Sequence, residues 1–197
     1  MSKPIAFFDF DGTITTKDTL LEIIKFRHGN AKFYMGFLLH SPYLVMMKLG
    51  LMSNQAAKQK IWQWFFGGMK VEDFKTYCEQ FAAEALPALI RPKALTEIDK
   101  LKQSGAEIVV VSASAEDWLR PWCEKMQVGL MGTRLEVVNG KVTGRINGTN
   151  CHGEEKVRRI REVYDLSQYK GIYCYGDTSG DKPMLALADH AFYQPFR

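Results

Sequence analysis

A pair of carboxylates near the start of the sequence is spaced so that both can act on one ligand. The pair lies in Asp9-Phe10-Asp11-Gly12-Thr13, directly after an apolar run. On an extended segment, side chains at positions i and i+2 point to the same side, and glycine allows a sharp turn close to the ligand. Asp, Gly and Thr are also common in an ordinary turn. Asp9 and Asp11 are therefore candidate catalytic residues, with an ordinary turn as the alternative.

A second acidic pair follows another apolar run, in Gly176-Asp177-Thr178-Ser179-Gly180-Asp181. Oxygen-rich loops of this kind suit Mg²⁺, which is usually held by one or two carboxylates, waters and substrate phosphate. Asp181 alone would fit a helix cap. Two acidic pairs brought together would repel each other unless a cation joined them, so the sequence favours a metal site.

Ser112-Ala113-Ser114 follows a third apolar run and could hold a phosphate oxygen. A hydroxyl and free backbone amides at a strand-to-helix junction suit this task, although serine is also an ordinary helix cap there.

Lys156 lies near the start of a predicted helix, which is an unfavourable end of the helix dipole for a cation. Its position suggests that it is held there for a ligand. The alternative is an exposed lysine paired with Glu154 or Glu155.

The elements that must position these side chains are predicted from apolar runs and helical spacing. Short runs at Ile5–Phe8, Ile108–Val111 and Ile172–Tyr175 suit strands of a parallel sheet covered on both faces. Asn139-Gly140 predicts a hairpin, and 191–193 a last short strand. Segments 92–103, 115–126, 154–164 and 182–187 have helical spacing and alternate with the strands. This order predicts an α/β fold with a doubly wound, mostly parallel sheet, whose ligands bind at the carboxyl ends of the strands.

Residues 16–87 show no strand of this type and are predicted to form a small helical cap inserted after the first strand, with 1–15 and 88–197 as the α/β core. The apolar stretch 33–52 is interrupted by Pro42 and Lys48, so no stable membrane insertion is expected. We interpret it as two packed helices broken at Pro42. A lipid-facing or substrate-facing surface is the alternative.

Composition and charge exclude several classes of function. The net charge of +4 comes from Lys and Arg spread along the chain, which argues against a nucleic-acid partner. The four cysteines form no Cys-x-x-Cys pair, so neither a zinc site nor a redox motif is expected. A reduced, cytoplasmic compartment is predicted, since the first residues do not form a secretory signal.

Taken together and in this order, the four elements resemble the motifs of the haloacid dehalogenase superfamily. They are Asp9-x-Asp11-Gly12-Thr13, Ser112, Lys156 and Gly176-Asp177-x-x-x-Asp181. The helical insertion is similar to the cap of the phosphoserine-phosphatase-like branch. The sequence departs from phosphoserine phosphatases at Ala113-Ser114, where they usually have Gly-Gly, and at Asp18, where they have Glu. The cap arginine has no secure match, with Lys60 as a stand-in, so the resemblance does not imply phosphoserine as the substrate.

The resemblance implies a Mg²⁺-dependent phosphatase for a small phosphorylated metabolite. In this family the residue matching Asp9 is the nucleophile, and that matching Asp11 is the general acid and base. Metal binding would involve Asp9, the main-chain carbonyl of Asp11, Asp177 and Asp181, the last directly or as a support. Ser112, the amide of Ala113 and Lys156 would bind the phosphoryl oxygens. A phosphotransferase or phosphomutase, or a phosphate-binding module without turnover, are the alternatives; the oligomeric state is open.

Substrate selection is expected to come from the cap. Its aromatic residues are Phe33, Tyr34, Phe37, Tyr43, Trp62, Trp64, Phe65 and Phe66. Most should form the cap's own core. The remainder are predicted to line a pocket that favours an apolar or aromatic leaving group.

Overall fold

A five-stranded sheet forms the centre of the protein, in a computed structural model that describes residues 3–197. Its spatial order is β3 (Gly129–Thr133), β2 (Glu107–Ala115), β1 (Ile5–Phe8), β6 (Ile172–Gly176) and β7 (His190–Tyr193). Its neighbouring strands pair in parallel throughout the described residues. The chain leaves β1 for β2 on one side and later returns to β6 on the other, so the carboxyl end of β1 is a topological switch point, where ligands bind in such sheets. The predicted fold class is confirmed.

Side chains of the central strand alternate between the two faces of the sheet. Ile5 and Phe7 belong to a buried cluster that includes residues of α6 (Glu154–Val163) and α7 (Lys182–Leu185). Ala6 and Phe8 belong to a larger cluster with α4 (Pro92–Gln103) and α5 (Glu116–Lys125). Because both faces are covered, β1 is apolar at every position.

Three helices lie between β1 and α4: α1 (Thr19–Lys48), α2 (Asn54–Phe66) and α3 (Val71–Glu84). We call residues 19–84 the helical segment. Its packing centre includes Trp62 and Phe66, whose rings lie 5.6 and 6.1 Å from that of Trp118 on α5. The aromatic side chains of α2 therefore pack the helical segment against α5, one of the helices that cover the sheet.

Pro42 does not break α1, so that prediction was wrong. A proline in a helix leaves the carbonyl four residues earlier without its N–H donor, and here the Ser41 hydroxyl donates to the Leu38 carbonyl at 2.8 Å. Pro42 is also exposed. The backbone departs from helical geometry at Gly29 instead, with φ 72° and ψ 168°.

The predicted hairpin consists of β4 (Leu135–Val138) and β5 (Lys141–Ile146). Asn139 and Gly140 both have positive φ, as a two-residue hairpin turn requires. The hairpin bonds to the helical segment: the Val142 amide donates to the Met69 carbonyl at 2.8 Å, and its own carbonyl accepts from Gly68 at 2.8 Å. The hairpin is thus joined to the turn that follows α2.

Two strands differ from the sequence prediction. β3 was not predicted, since Gly129–Thr133 contains two glycines and no continuous apolar run. β2 continues past Val111 to Ala115, because Ala115 still pairs with Thr133 after an irregularity in register. Ser112, Ala113 and Ser114 therefore belong to the end of a strand, and α5 begins only at Glu116.

Within residues 3–197, no helix combines the length and the apolar character that crossing a bilayer requires.

Candidate active site

The sequence-predicted site residues converge at the carboxyl ends of β1, β2 and β6. Five of them, together with side chains of the helical segment, line one cavity of about 310 Å³; these five are Asp9, Asp11, Ala113, Lys156 and Asp181. Ser112 and Asp177 lie directly behind its wall, each within hydrogen-bonding reach of the loop after β1. The cavity opens at the switch point that the topology defines.

Lys156 is the centre of this arrangement. Its ammonium group lies 2.6 Å from Asp9 Oδ1 and 2.7 Å from Asp181 Oδ1, and its side chain is 1% exposed. Glu155 instead pairs with Arg158 and Arg159. The alternative of an exposed lysine paired with a neighbouring glutamate was therefore wrong.

Burial and charge oppose each other in this cluster. The pKa of Asp9 is raised to about 7, chiefly by burial and further by the carboxylates of Asp181 and Asp11, against the opposing charge of Lys156. Burial alone would lower the pKa of Lys156, but Asp9 and Asp181 raise it above its ordinary value. The ammonium therefore stays charged, whereas the carboxylate of Asp9 lacks full compensation.

Four donors orient the carboxylate of Asp11. Its Oδ1 accepts from the Thr19 amide at 2.7 Å and from the Thr19 hydroxyl at 2.6 Å. Its Oδ2 accepts from Ser114 at 2.6 Å and from Ser112 at 3.3 Å. The indole N–H of Trp118 donates to the Thr19 hydroxyl at 3.1 Å. Sequence reasoning missed Thr19, although its place at the start of the first helix after the motif was a usable signal.

Three buried carboxylates, those of Asp9, Asp177 and Asp181, offer oxygen atoms within 4.8 Å of one another. The hydroxyl of Thr13 lies 3.2 Å from Asp9 and 3.4 Å from Asp177, and its one proton serves only one of them at a time. Burial, followed by the charge of Asp181, raises the pKa of Asp177 against the opposing effect of Arg197 at 2.6 Å. Oxygen donors with uncompensated negative charge fit a hard divalent cation such as Mg²⁺.

The three carboxylates are not equivalent. Asp181 Oδ2 accepts from the amides of Asp177 and Thr178 and from the Thr178 hydroxyl, at 2.9 to 3.2 Å, while its Oδ1 contacts Lys156. Its pKa is lowered, because Lys156 and these donors outweigh the effect of burial. Both oxygens of Asp181 thus have protein partners. Its side chain caps the turn after β6, in agreement with the cap that the sequence offered as an alternative to a metal ligand.

Gly12 allows the loop after β1 to lie against the loop after β6. It has φ 82°, and a Cβ atom there would lie 2.3 Å from Asp177 Oδ2. Any other residue would push the two acidic loops apart, so the sequence argument for this glycine agrees with the geometry.

The helical segment contributes a cation at the cavity, from Lys58. Its ammonium group donates to the Ala113 carbonyl at 3.0 Å, and its pKa is lowered by burial against the opposing effect of Asp18 and Asp11. Lys60, the expected stand-in, is exposed with its ammonium 5.8 Å from the ring centre of Tyr43. The expectation for Lys60 was wrong. Lys58 lies one turn before the buried Trp62, and this spacing was the signal that it faces inward.

Asp18 lies at the rim of the same cavity. Its Oδ1 accepts from the amides of Leu20 and Leu21 at 2.9 and 3.3 Å, so it caps α1. Asp18 remains exposed, and partial removal of water together with the charge of Asp11 raises its pKa, against the opposing charge of Lys58. Asn54 and His152 also reach the cavity and were not singled out from the sequence.

The aromatic residues of the helical segment do not line the cavity, contrary to the prediction. Its lining residues have polar or charged side chains apart from Leu20, Ala113 and Gly180. Trp62, Phe65 and Phe66 are buried in the packing against α1 and α5, whereas Tyr34 and Trp64 are exposed. The starts of α1 and α2 face the cavity, and these turns carry capping and charged residues rather than aromatic ones.

Comparisons with known proteins agree with this geometry. The sequence model of haloacid dehalogenase-like hydrolases matches residues 6–186. Protein CicA of Caulobacter vibrioides is 35% identical over 196 residues, covering 96% of this chain and 85% of that protein. A probable phosphatase of Mycobacterium tuberculosis is 28% identical, over 96% of this chain and 68% of its own length.

Among solved structures, a substrate-bound phosphoserine phosphatase has a TM-score of 0.68 at 18% identity, covering 95% of this chain and 84% of that one. This likeness concerns the fold. The family match covers most of the chain and includes every strand end that carries a site residue. The chain belongs to the haloacid dehalogenase-like hydrolase family.

Proposed function

We propose that this protein is a Mg²⁺-dependent phosphatase that hydrolyses a small phosphate monoester through an aspartyl phosphate on Asp9. The observation that carries the proposal is the buried contact of Lys156 with both Asp9 and Asp181, directly beside Asp11 in one cavity. The names of related proteins, which include a probable phosphatase and a phosphoserine phosphatase, support the same reaction class.

In the first step, a carboxylate oxygen of Asp9 attacks phosphorus, and the bond from phosphorus to the ester oxygen breaks. Asp11 gives its proton to the leaving oxygen. In the second step, a water molecule attacks the phosphoryl group on Asp9, Asp11 takes a proton from that water, and phosphate leaves with the Asp9 carboxylate regenerated. The groups around Asp11 hold its carboxyl group in one place for both transfers, and when that group carries the proton one of the neighbouring hydroxyls accepts a hydrogen bond instead of donating one.

Lys156 and the end of β2 bind the transferring group in this proposal. The ammonium of Lys156 neutralises phosphoryl charge, and the Ala113 amide and Ser112 lie on the side of β2. Mg²⁺, held by Asp9, Asp177 and the main-chain carbonyl of Asp11 with Asp181 in support, would supply further charge neutralisation.

We propose that residues 16–87 act as a cap over a core made of 1–15 and 88–197. Lys58 supports this division, because its bond to the Ala113 carbonyl joins the helical segment to the end of β2. The cavity beneath has charged and amide side chains at its mouth. The leaving group is therefore small and polar, rather than aryl or alkyl as the sequence suggested.

Asp9→Asn should reduce kcat by at least about a thousandfold, since the nucleophilic oxygen is lost while side-chain volume is kept. Hydrolysis of p-nitrophenyl phosphate with Mg²⁺, together with the thermal midpoint, measures this. Asp73→Asn, at an exposed position on α3, is the matched control and should keep the parent rate. Near-parent turnover by Asp9→Asn would rule out the aspartyl phosphate.

Asp11→Asn should slow the hydrolysis of esters of poorly acidic alcohols more than that of activated esters, because only the former need a proton on the leaving oxygen. We expect a loss of about a hundredfold or more for glycerol phosphate and a smaller one for p-nitrophenyl phosphate. The ratio of the two kcat/KM values is the measurement. An unchanged ratio would show that Asp11 is not the acid.

Removal of metal with EDTA should abolish hydrolysis, Mg²⁺ should restore it, and Ca²⁺ should not, since Ca²⁺ takes more ligands at longer distances. Asp177→Asn should raise the Mg²⁺ concentration for half-maximal activity more than Asp181→Asn, because Asp181 is held by the buried ammonium of Lys156 and by backbone amides, whereas the partners of Asp177 are the Thr13 hydroxyl, at 3.4 Å, and the exposed Arg197. Calorimetric titration with Mg²⁺ provides a second readout. Full activity in EDTA, or a larger effect at Asp181, would contradict the assigned site.

Lys58→Ala should raise KM for polar phosphate esters such as glycerol phosphate about tenfold, because a charged donor at the cavity is lost. Lys60→Ala removes the same charge from an exposed position of the same helix and should leave KM unchanged. Equal effects of the two substitutions would indicate that only the overall charge of α2 matters.

A further inference from the structure

The second half of α1, together with Leu49 directly after it, presents large apolar side chains to solvent. Between 53% and 73% of the surface of each is exposed; they are Tyr34, Met35, Leu38, Leu39, Val45 and Leu49. We call these six residues the exposed apolar face. Single exposed apolar residues are normal on a protein surface, but a contiguous patch marks an interaction site.

These six residues lie on one side of the helix. At about 100° per residue they fall within an arc of about 140°. The side chains that pack against α2 lie on the other side: Phe37 is 6.1 Å from Phe65, ring to ring, and Gly36 lies against Phe65. The second half of α1 is therefore apolar on both sides, whereas a helix that only covers a core is polar on its outer side.

Positive charge exceeds negative charge in α1 and α2, the helices that carry and support the exposed apolar face. Residues 19–66 contain five lysines and one arginine against one acidic residue, Glu22, and Glu22 is paired with Lys25. Lys32 and Lys48 lie beside the two edges of the face, about 20° and 40° beyond its outermost residues by the same helical spacing. In the described part of the chain, neither of these two lysines makes an ion pair, and both are exposed.

We propose that the exposed apolar face binds the surface of a bilayer that contains anionic phospholipids, with the second half of α1 lying in the interface. Apolar side chains would enter the boundary of the acyl chains while Lys32 and Lys48 meet anionic headgroups. Trp64 is 46% exposed on the neighbouring α2, and aromatic residues of this kind concentrate at the membrane–water interface.

The charges favour an anionic bilayer over a second copy of the chain as the partner of the exposed apolar face. A symmetric pair of these faces would bring two basic surfaces together without acidic partners, since Glu22 is the single acid among residues 19–66. An anionic bilayer supplies both the apolar interior and the opposite charge. The inference does not rest on the proposed phosphatase reaction, because the exposed apolar face does not line the cavity.

Sedimentation with vesicles of phosphatidylglycerol and phosphatidylcholine tests the proposal. The parent protein should sediment with these vesicles, less so at high salt, and much less with pure phosphatidylcholine. Leu38→Glu combined with Leu49→Glu should weaken binding at least about tenfold. Lys32→Gln combined with Lys48→Gln, which keeps the apolar residues, should also weaken it about tenfold. Val163→Glu, at an equally exposed apolar residue on α6, should bind like the parent.

Three results would overturn the proposal. The first is equal binding of the parent to anionic and neutral vesicles, or no binding to either. The second is a loss for Val163→Glu as large as that for the variant of Leu38 and Leu49. The third is a dimer in sedimentation equilibrium that this variant converts to a monomer, which would assign the face to a second copy. Unchanged thermal midpoints and hydrolysis of a soluble ester verify that the variants fold.

Discussion

The buried ammonium group of Lys156 is the interaction on which the rest of the site depends. A cation removed from water is costly unless carboxylates surround it closely. Here those carboxylates come from Asp9, after β1, and from Asp181, in the turn after β6. The folded chain must therefore hold the first helical turn of α6 against the ends of two central strands. Lys156 thus fixes the relative positions of three segments that are distant in sequence.

The same constraint explains why the charge in this region is unevenly compensated. One ammonium serves two carboxylates, and Arg197 approaches Asp177 from a largely exposed position. The remaining negative charge lies between β1 and β6, next to Thr13. Asp11 makes no ion pair within residues 3–197 and instead accepts hydrogen bonds from hydroxyl and amide donors of α1 and β2. Two carboxylates separated by one residue thus have different surroundings, as two different chemical roles require.

Sequence patterns predicted the features that depend on local order. Asp9, Asp177 and the alternating apolar runs mark strand ends, because parallel strands buried on both faces must be apolar throughout and end where polar residues begin. Features that depend on packing were not predicted. Lys58 rather than Lys60 reaches the cavity because of the orientation in which α2 packs against Trp118. Pro42 is tolerated because the Ser41 hydroxyl donates to the Leu38 carbonyl. The unpredicted β3 depends on pairing with β2 more than on its own residues. The division at residues 15 and 87 stays a prediction.

The departure from helical geometry at Gly29 divides α1 into two mechanical parts. The first part begins at Thr19, which holds Asp11, and the second carries the exposed apolar face. A rigid helix passes displacement along its ladder of backbone hydrogen bonds, and a residue with φ 72° and ψ 168° interrupts that ladder. A displacement of the outer part of α1 is therefore not transmitted along a continuous helix to the carboxyl group of Asp11. Gly29 thus separates the position of Asp11, the proposed acid and base, from displacements at the exposed apolar face.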